Sequence, residues 1–528
     1  MTIVIDGTTG ISPVTASGTS ASVDGMTVGR GGGEVATNTA VGASALAANT
    51  TGSLSVAIGT SALAANTTGA NNTAVGYQAA LNNTTGATNV VYGYQSFKTN
   101  TTGNYNTALG YQALQANTTA ENNTAVGFVS LTANTTGQFN VSLGAYALQA
   151  NTTASNNTAV GYQAGYSFAS TGTAAVTAFG YQAAYTINAA DPRITAIGYQ
   201  ALFTNNGGGT YENTAVGYSA ARLTTSGSGL VAMGNESLAA NTTGAKNVAI
   251  GYQALASNTV GDYRTAIGFR AGQNSTGSFG FTAVGVEALK SITSGHGNVA
   301  IGGYSNYTGV GGAMQNTTTG QECVAVGTGA LYTNTTGGRN TSIGEESMYA
   351  NTTGGDNVCV GYLAGNNITT GSTNTCVGRN AIPLNATDSN ETVIGGGSPF
   401  QGKGSNTAYI GGSSGAYNQA NNASWSTTSD RRIKQNIVPI PSAIDIITKL
   451  NPVTFDYILN GKPDAGFIAQ EYQTILPDQV KEHGASNEEK ELTGSDTLLA
   501  ITPNLVPYLV KAIQELKAEF DAYKATHP

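Results

Sequence analysis

The chain is poor in most of what chemistry-bearing proteins use. Its 528 residues include three cysteines, three histidines and one tryptophan, and only 9% are charged. So few cysteines exclude a disulfide scaffold and fit folding in a reducing compartment. Scattered histidines offer no metal centre, and neither a metal nor another cofactor is expected. A net charge of −8 without a basic run leaves no face for nucleic acid. No apolar run is long enough to cross a bilayer, so membrane insertion is not expected. The opening MTIVIDGTTG lacks the basic residues and apolar stretch of a signal peptide. The many NTT triplets are accordingly read as structural rather than as glycosylation sites.

Glycine is abundant, with 71 copies, and one of them keeps time. It falls at Gly42, Gly59, Gly76, Gly93, Gly110, Gly127, Gly144 and Gly161, seventeen apart, then at Gly180, Gly198 and Gly217 after longer steps. The regular spacing returns at Gly234, Gly251, Gly268, Gly285 and Gly302, and a long gap precedes Gly327, Gly344, Gly361, Gly378, Gly395 and Gly411. The residue before each of these 22 glycines is bulky and apolar, and the one before that is alanine in 15 copies. Alternation of this kind is the pattern of a strand. A mostly β parallel solenoid or β-roll follows, with one coil per repeat and a shaft of roughly 100 Å at about 4.8 Å per rung. The bulky row is expected inside the coil. The alanine row is expected outside, where it would let neighbouring shafts of a homotrimer approach. A leucine, phenylalanine or methionine four places after the glycine, as at Leu114, Leu255 and Met348, supplies a second core row. NTTG is expected to turn the chain through positive φ at Asn and Gly.

The string NVAIG, at residues 247–251 and 298–302, resembles the head β-roll of trimeric autotransporter adhesins, over roughly residues 34–415. The chain lacks the signal peptide and terminal membrane barrel of such adhesins, so the expectation is not a bacterial surface adhesin. An aromatic follows the glycine in half the copies, including Tyr77, Tyr94, Tyr111, Phe128, Tyr199 and Tyr252. It reads as a stack within or between subunits, with a sugar-stacking ladder as the alternative. The Asn and Thr rows read as hydrogen-bonded ladders rather than an ice-binding face. Cys359 and Cys376 stand in the alanine position of successive coils, as small-residue substitutes. Irregular repeats are expected to emerge as loops. They place receptor-contact candidates at Asp191, Arg193, Tyr211, Tyr304 and Tyr307, within 191–193, 205–212 and 304–315.

Of the 50 charged residues (21 basic plus 29 acidic), 24 lie from Asp430 onward. There SAIDIITKLNPV reads as a helix capped by Ser442, VTFDYIL as a strand and GFIAQ as a short buried one. Val506, Leu509, Ile513, Leu516, Phe520 and Tyr523 are spaced 3-4-3-4-3, the seam of an oligomeric coiled coil.

The ordered set SDRRIKQNI, LNPVTFDY, GFIAQEYQTILPDQV and LVPYLVKAIQEL resembles the C-terminal intramolecular chaperone of phage tailspikes, tail fibres and endosialidases. That resemblance implies a domain at 429–528 that trimerises, guides folding of the shaft and then cuts itself off. It implies Ser429 and Lys434 as the catalytic pair and Thr428–Ser429 as the scissile bond. The chemistry is that of a hydroxyl activated by a neutral lysine. Five residues along a helix turn about 140°, and five along a strand reverse the face, so neither regular element aligns the two. A bend or a neighbouring subunit must bring them together. The expected organisation is an attachment segment for tail or baseplate proteins at 1–33, the shaft at 34–415, a linker at 416–428 and the self-cleaving chaperone. The expected role is a virion tail fibre that binds a host surface glycan or protein. The alternative is a structural spacer or decoration of the virion.

Overall fold

Each repeat places a short strand immediately before its glycine. Thr107–Leu109, Thr124–Val126 and Val141–Leu143 are successive examples, paired in parallel with Ala108 opposite Ala125 and Ala125 opposite Ser142. In this computed structural model the ladder runs from Thr39–Val41 to Thr407–Ile410, one rung per repeat glycine. The structure describes every residue except 1, 7–9, 15–20, 24–25, 169–174, 189–190, 207–209, 278, 307–308, 398, 412–415, 420–430, 432–433, 457, 459–462, 485–490, 496, 502–503 and 528. The chain divides into two units, Met1–Thr428 and Ser429–Pro528. The first is the parallel β-solenoid that the repeat predicts.

Inside and outside are reversed from the sequence reading. Ala108, Ala125, Ala249 and their counterparts are fully buried, and so are Cys359 and Cys376, whose thiols are free. The bulky row faces outward: Ile58 is 39% and Tyr92 61% exposed. The reason is the width of the coil. A Cβ added at Gly165, in the second core row, would lie only 3.9 Å from the Ala159 Cβ across the interior. That row is buried as expected at Leu114, Leu255 and Met348, and it leaves the strand room for little more than a methyl group. Where the row holds glycine, at Gly165, Gly272 and Gly365, the interior is filled by buried Phe168, Phe281 and Ile368. Close-packed interiors demand this conservation of volume.

The turn chemistry also differs from expectation. Positive φ falls not on the Asn and Gly of NTTG but on residues such as Tyr105, Gln112 and Leu114 and on the repeat glycines. The NTTG asparagines are instead buried rungs of an amide ladder. Asn100 donates through Nδ2 to Asn83 Oδ1 (2.7 Å) and accepts from Asn117 Nδ2 (2.9 Å) and the Gly103 amide (3.1 Å). Gly69, of the same motif, is needed for space: a Cβ there would press into the Gly86 carbonyl and the Asn66 amide. Buried polar groups must be paired, and where the asparagine recurs in successive coils one repeated amide achieves this.

Both ends of the ladder are closed by antiparallel strands. Met26–Gly29 lies on the first rung, with Val28 opposite Val41, and Ala416–Gln419 lies on the last, with Ala416 opposite Ile410. Antiparallel closure interrupts the template that a bare parallel edge would offer.

The second unit is small and mixed. Its core gathers Tyr472, Leu476 and Val480 with Leu450, Phe467, Leu499, Leu505 and Tyr508. Strand Val453–Asp456 forms as predicted and pairs antiparallel with Pro463–Gly466. GFIAQ is not a strand: the chain leaves the sheet at Gly466 and begins helix Ala469–Gln473, which buries Tyr472. A 21-residue helix, Val506–Thr526, ends the unit.

Candidate functional site

At the boundary between the units, Thr428 and Ser429 lie outside the described residues. Lys434 is described. It is exposed, and its backbone amide donates to the Arg431 carbonyl (3.2 Å).

Beyond Lys434, helix Ala443–Ile447 follows Ser442, as read from the sequence, but Ser442 does not cap it. Its hydroxyl donates to Asp445 Oδ2 (2.7 Å). The free amides of Ala443 and Ile444 donate instead to Glu515 Oε2, at 2.9 and 3.0 Å, from the terminal helix. The Ile444 amide, with help from Lys511 and the Ala443 amide, holds the Glu515 carboxyl below its usual range. A carboxylate at a helix start also opposes the positive end of the dipole. Sequence inspection missed this clamp because its partners stand 72 and 71 residues apart.

The clamp and Tyr508 fasten one side of the terminal helix to its unit. The predicted seam is left on the outside: Leu509, Ile513, Leu516, Phe520 and Tyr523 are all exposed, Ile513 by 65%. An exposed apolar row is also the main surface feature of the shaft, where Ile58, Met233, Ile267, Ile301, Ile343 and Ile410 belong to one outward stripe.

The receptor-contact candidates fare differently. Residues Asp191–Ile197 and Thr210–Val216 are not loops but rungs extended to seven residues, paired Asp191 to Thr210, Pro192 to Tyr211 and Arg193 to Glu212. The inserted residues lengthen the strands because they keep register with one another, and Arg193 Nη1 meets Glu212 Oε1 at 2.6 Å. The insertion after Gly302 does leave the coil. Its turn is closed by the Ser305 amide on the Val310 carbonyl (2.9 Å), and Tyr304 is exposed, while Tyr307 lies outside the described residues.

The aromatics after the glycines form stacks within the chain. Tyr77, Tyr94, Tyr111 and Phe128 stand 5.1–5.2 Å apart with planes within 15°. Rings stacked this closely cover one another's faces and present only edges. A sugar needs a free face, so the interior of a stack is no sugar platform. Among the described residues, no group of histidine, cysteine and acidic side chains could hold a metal ion, and no helix is long and apolar enough to cross a membrane.

Comparison with known proteins bears mostly on the second unit. Residues 429–481 match the family described as chaperone of endosialidase. Over 97 residues the chain is 35% identical to the long tail fiber protein Gp37 of Enterobacteria phage K3, and equally to that of Enterobacteria phage T2. Each alignment takes in 17% of this chain but only 8% and 7% of those relatives, so the chain spans a small fraction of their length. No solved structure matches.

Proposed function

We propose that the chain is a fibre of a phage particle: a trimeric β-solenoid shaft assembled under the direction of its own C-terminal chaperone, which then releases itself. The observation that carries this reading is where the chaperone match begins. It starts at residue 429, the residue at which the solenoid unit gives way to the second compact unit. Similarity to the tail fibres of two phages supports a place on the virion.

In this reading Ser429 attacks the Thr428 carbonyl, Lys434 accepts the hydroxyl proton and returns it to the departing Ser429 nitrogen, and the acyl group moves from that nitrogen to the Ser429 oxygen. Water then hydrolyses the ester, leaving a carboxylate on Thr428 and a free amine on Ser429. The exposed stripe and the exposed helical seam support self-association, because monomeric proteins rarely leave long contiguous apolar rows in water. In a homotrimer each row would pack against the two other copies. Residues 1–33 would face tail or baseplate proteins, and the shaft would reach a glycan or protein of the host surface. Intact-mass measurement of the expressed chain tests the cleavage. Wild type should yield fragments meeting between Thr428 and Ser429, whereas Ser429→Ala and Lys434→Ala chains should stay whole. A cut that persists in Ser429→Ala would rule the mechanism out.

One observation favours the second reading, a spacer without receptor contact. The 191–193 and 210–212 segments continue the ladder rather than projecting from it.

A further inference from the structure

Two aromatic stacks run side by side along the middle of the shaft; the rings of one reach the coil of Gly217, and those of the other stop one coil earlier and are capped there by an arginine. One follows the glycines: Tyr162, Tyr181, Tyr199 and Tyr218, with centroids 5.0–5.4 Å apart. The other lies four residues further on: Tyr166, Tyr185 and Phe203, continued by the Arg222 guanidinium 5.9 Å from the Phe203 ring. On the next coil the two positions hold Asn235 and Ala239, and Ala240 and Ala256 extend the small-residue floor.

Beyond Tyr218 and Arg222 the shaft steps down to small side chains, and the step is an open depression of about 380 Å3 lined by Gln200, Tyr218, Arg222, Leu223, Glu236 and Ala240 among others. Tyr218 is 50% exposed against 41% for Tyr199 within the stack, as expected where no ring covers its far side. Polar groups are held around it. Arg222 Nε donates to Gln200 Oε1 (3.1 Å), leaving its terminal nitrogens for other acceptors, and Glu236 Oε2 accepts from Gln253 Nε2 (2.7 Å).

We infer that this step binds one neutral pyranose unit of a surface polysaccharide. The inference rests on the host-attachment reading and names the ligand class and place of contact. A pyranose has an apolar C–H face for the open ring of Tyr218 and a rim of hydroxyls. Arg222 donates to such hydroxyls, and the Glu236 carboxylate and Gln200 amide accept from them. A cation and an anion facing the same cavity disfavour a charged ligand of either sign and suit a neutral one with both donors and acceptors. The volume falls in the range of about 300–1,000 Å3 usual for small-ligand sites.

The test is saturation-transfer NMR on the full chain with methyl glucopyranoside, galactopyranoside and mannopyranoside as probes. At least one probe should receive transfer from the wild-type protein. Tyr218→Ala should lose it at least tenfold, and so should Ala240→Arg, which fills the step from outside without removing a packed ring. Tyr94→Ala, inside another stack, should retain it. Absence of transfer to all three probes, or equal transfer from wild type and Ala240→Arg, overturns the inference. Adsorption to enterobacterial cells, scored in parallel, tests the attachment reading separately. Equal adsorption of wild type and Ala240→Arg overturns the pocket as the contact while leaving attachment in place.

Discussion

At the scale of single residues, the shaft depends on positions where nothing larger fits. Gly93 has φ +138°, and a Cβ there would press into the carbonyl of Gly110 on the next coil. Gly93→Ala should cost about 1–3 kcal/mol from the backbone conformation alone, before the steric conflict is counted. Lowered thermal unfolding of the shaft would register it. Arg264 is a different exception. It takes the place that Asn247 holds one coil earlier, just before the strand, lies buried over Phe281 with its centre 5.4 Å from the ring, and donates to Asn258, Gly277 and Phe279. Burial pulls its pKa down to about 10.

In the second unit, the residue to watch is Glu515. Its folded pKa is lowered, chiefly by the Ile444 amide, so its stabilising effect is present above its unfolded value of about 4.3 and fades as the pH falls through the lower folded value. Wild type should therefore lose stability on acidification below about pH 4.5 more steeply than Glu515→Gln. Parallel curves from pH-dependent melts of the two proteins would refute that assignment.

At the scale of elements, the repeating unit is a ladder of amides as much as a ladder of strands. Asn100→Ala removes the acceptor of Gly103 and Asn117 and the donor to Asn83 in one step. Leaving such buried groups unpaired should cost about 2–3 kcal/mol. Because each coil contacts only its neighbours, the damage should stay local. Faster amide hydrogen exchange confined to the coils around residue 100 is the expected result, and uniform loosening of the whole shaft would contradict it. The terminal helix was legible as an element: its 3-4 spacing gave both its existence and its apolar face. The start of helix Ala443–Ile447 was legible in place but not in chemistry, since the group that satisfies its amides comes from far along the chain. GFIAQ was misread because a short apolar run does not say whether it continues a strand or opens a helix.

At the scale of the whole molecule, the outward row is the feature that demands a partner. Ile267→Asp combined with Ile301→Asp puts two charges on the stripe without touching the coil interior. Each chain should still fold, with its β-sheet circular dichroism retained, while sedimentation shifts from the proposed trimer toward monomer. Unchanged sedimentation would remove the stripe from the interface.

The sequence by itself determined the coil count, the strand before each glycine, the second core row and the change of material near residue 429. Those features rest on local periodicity, which each repeat states again. Tertiary structure alone decided which face of the strand is inside, because alternation reports two faces without saying which is enclosed. That choice depends on how much room seventeen residues leave at the centre. It also decided that two insertions became longer rungs and that an arginine rather than a ring caps the second aromatic stack, since both depend on which residues meet on neighbouring coils.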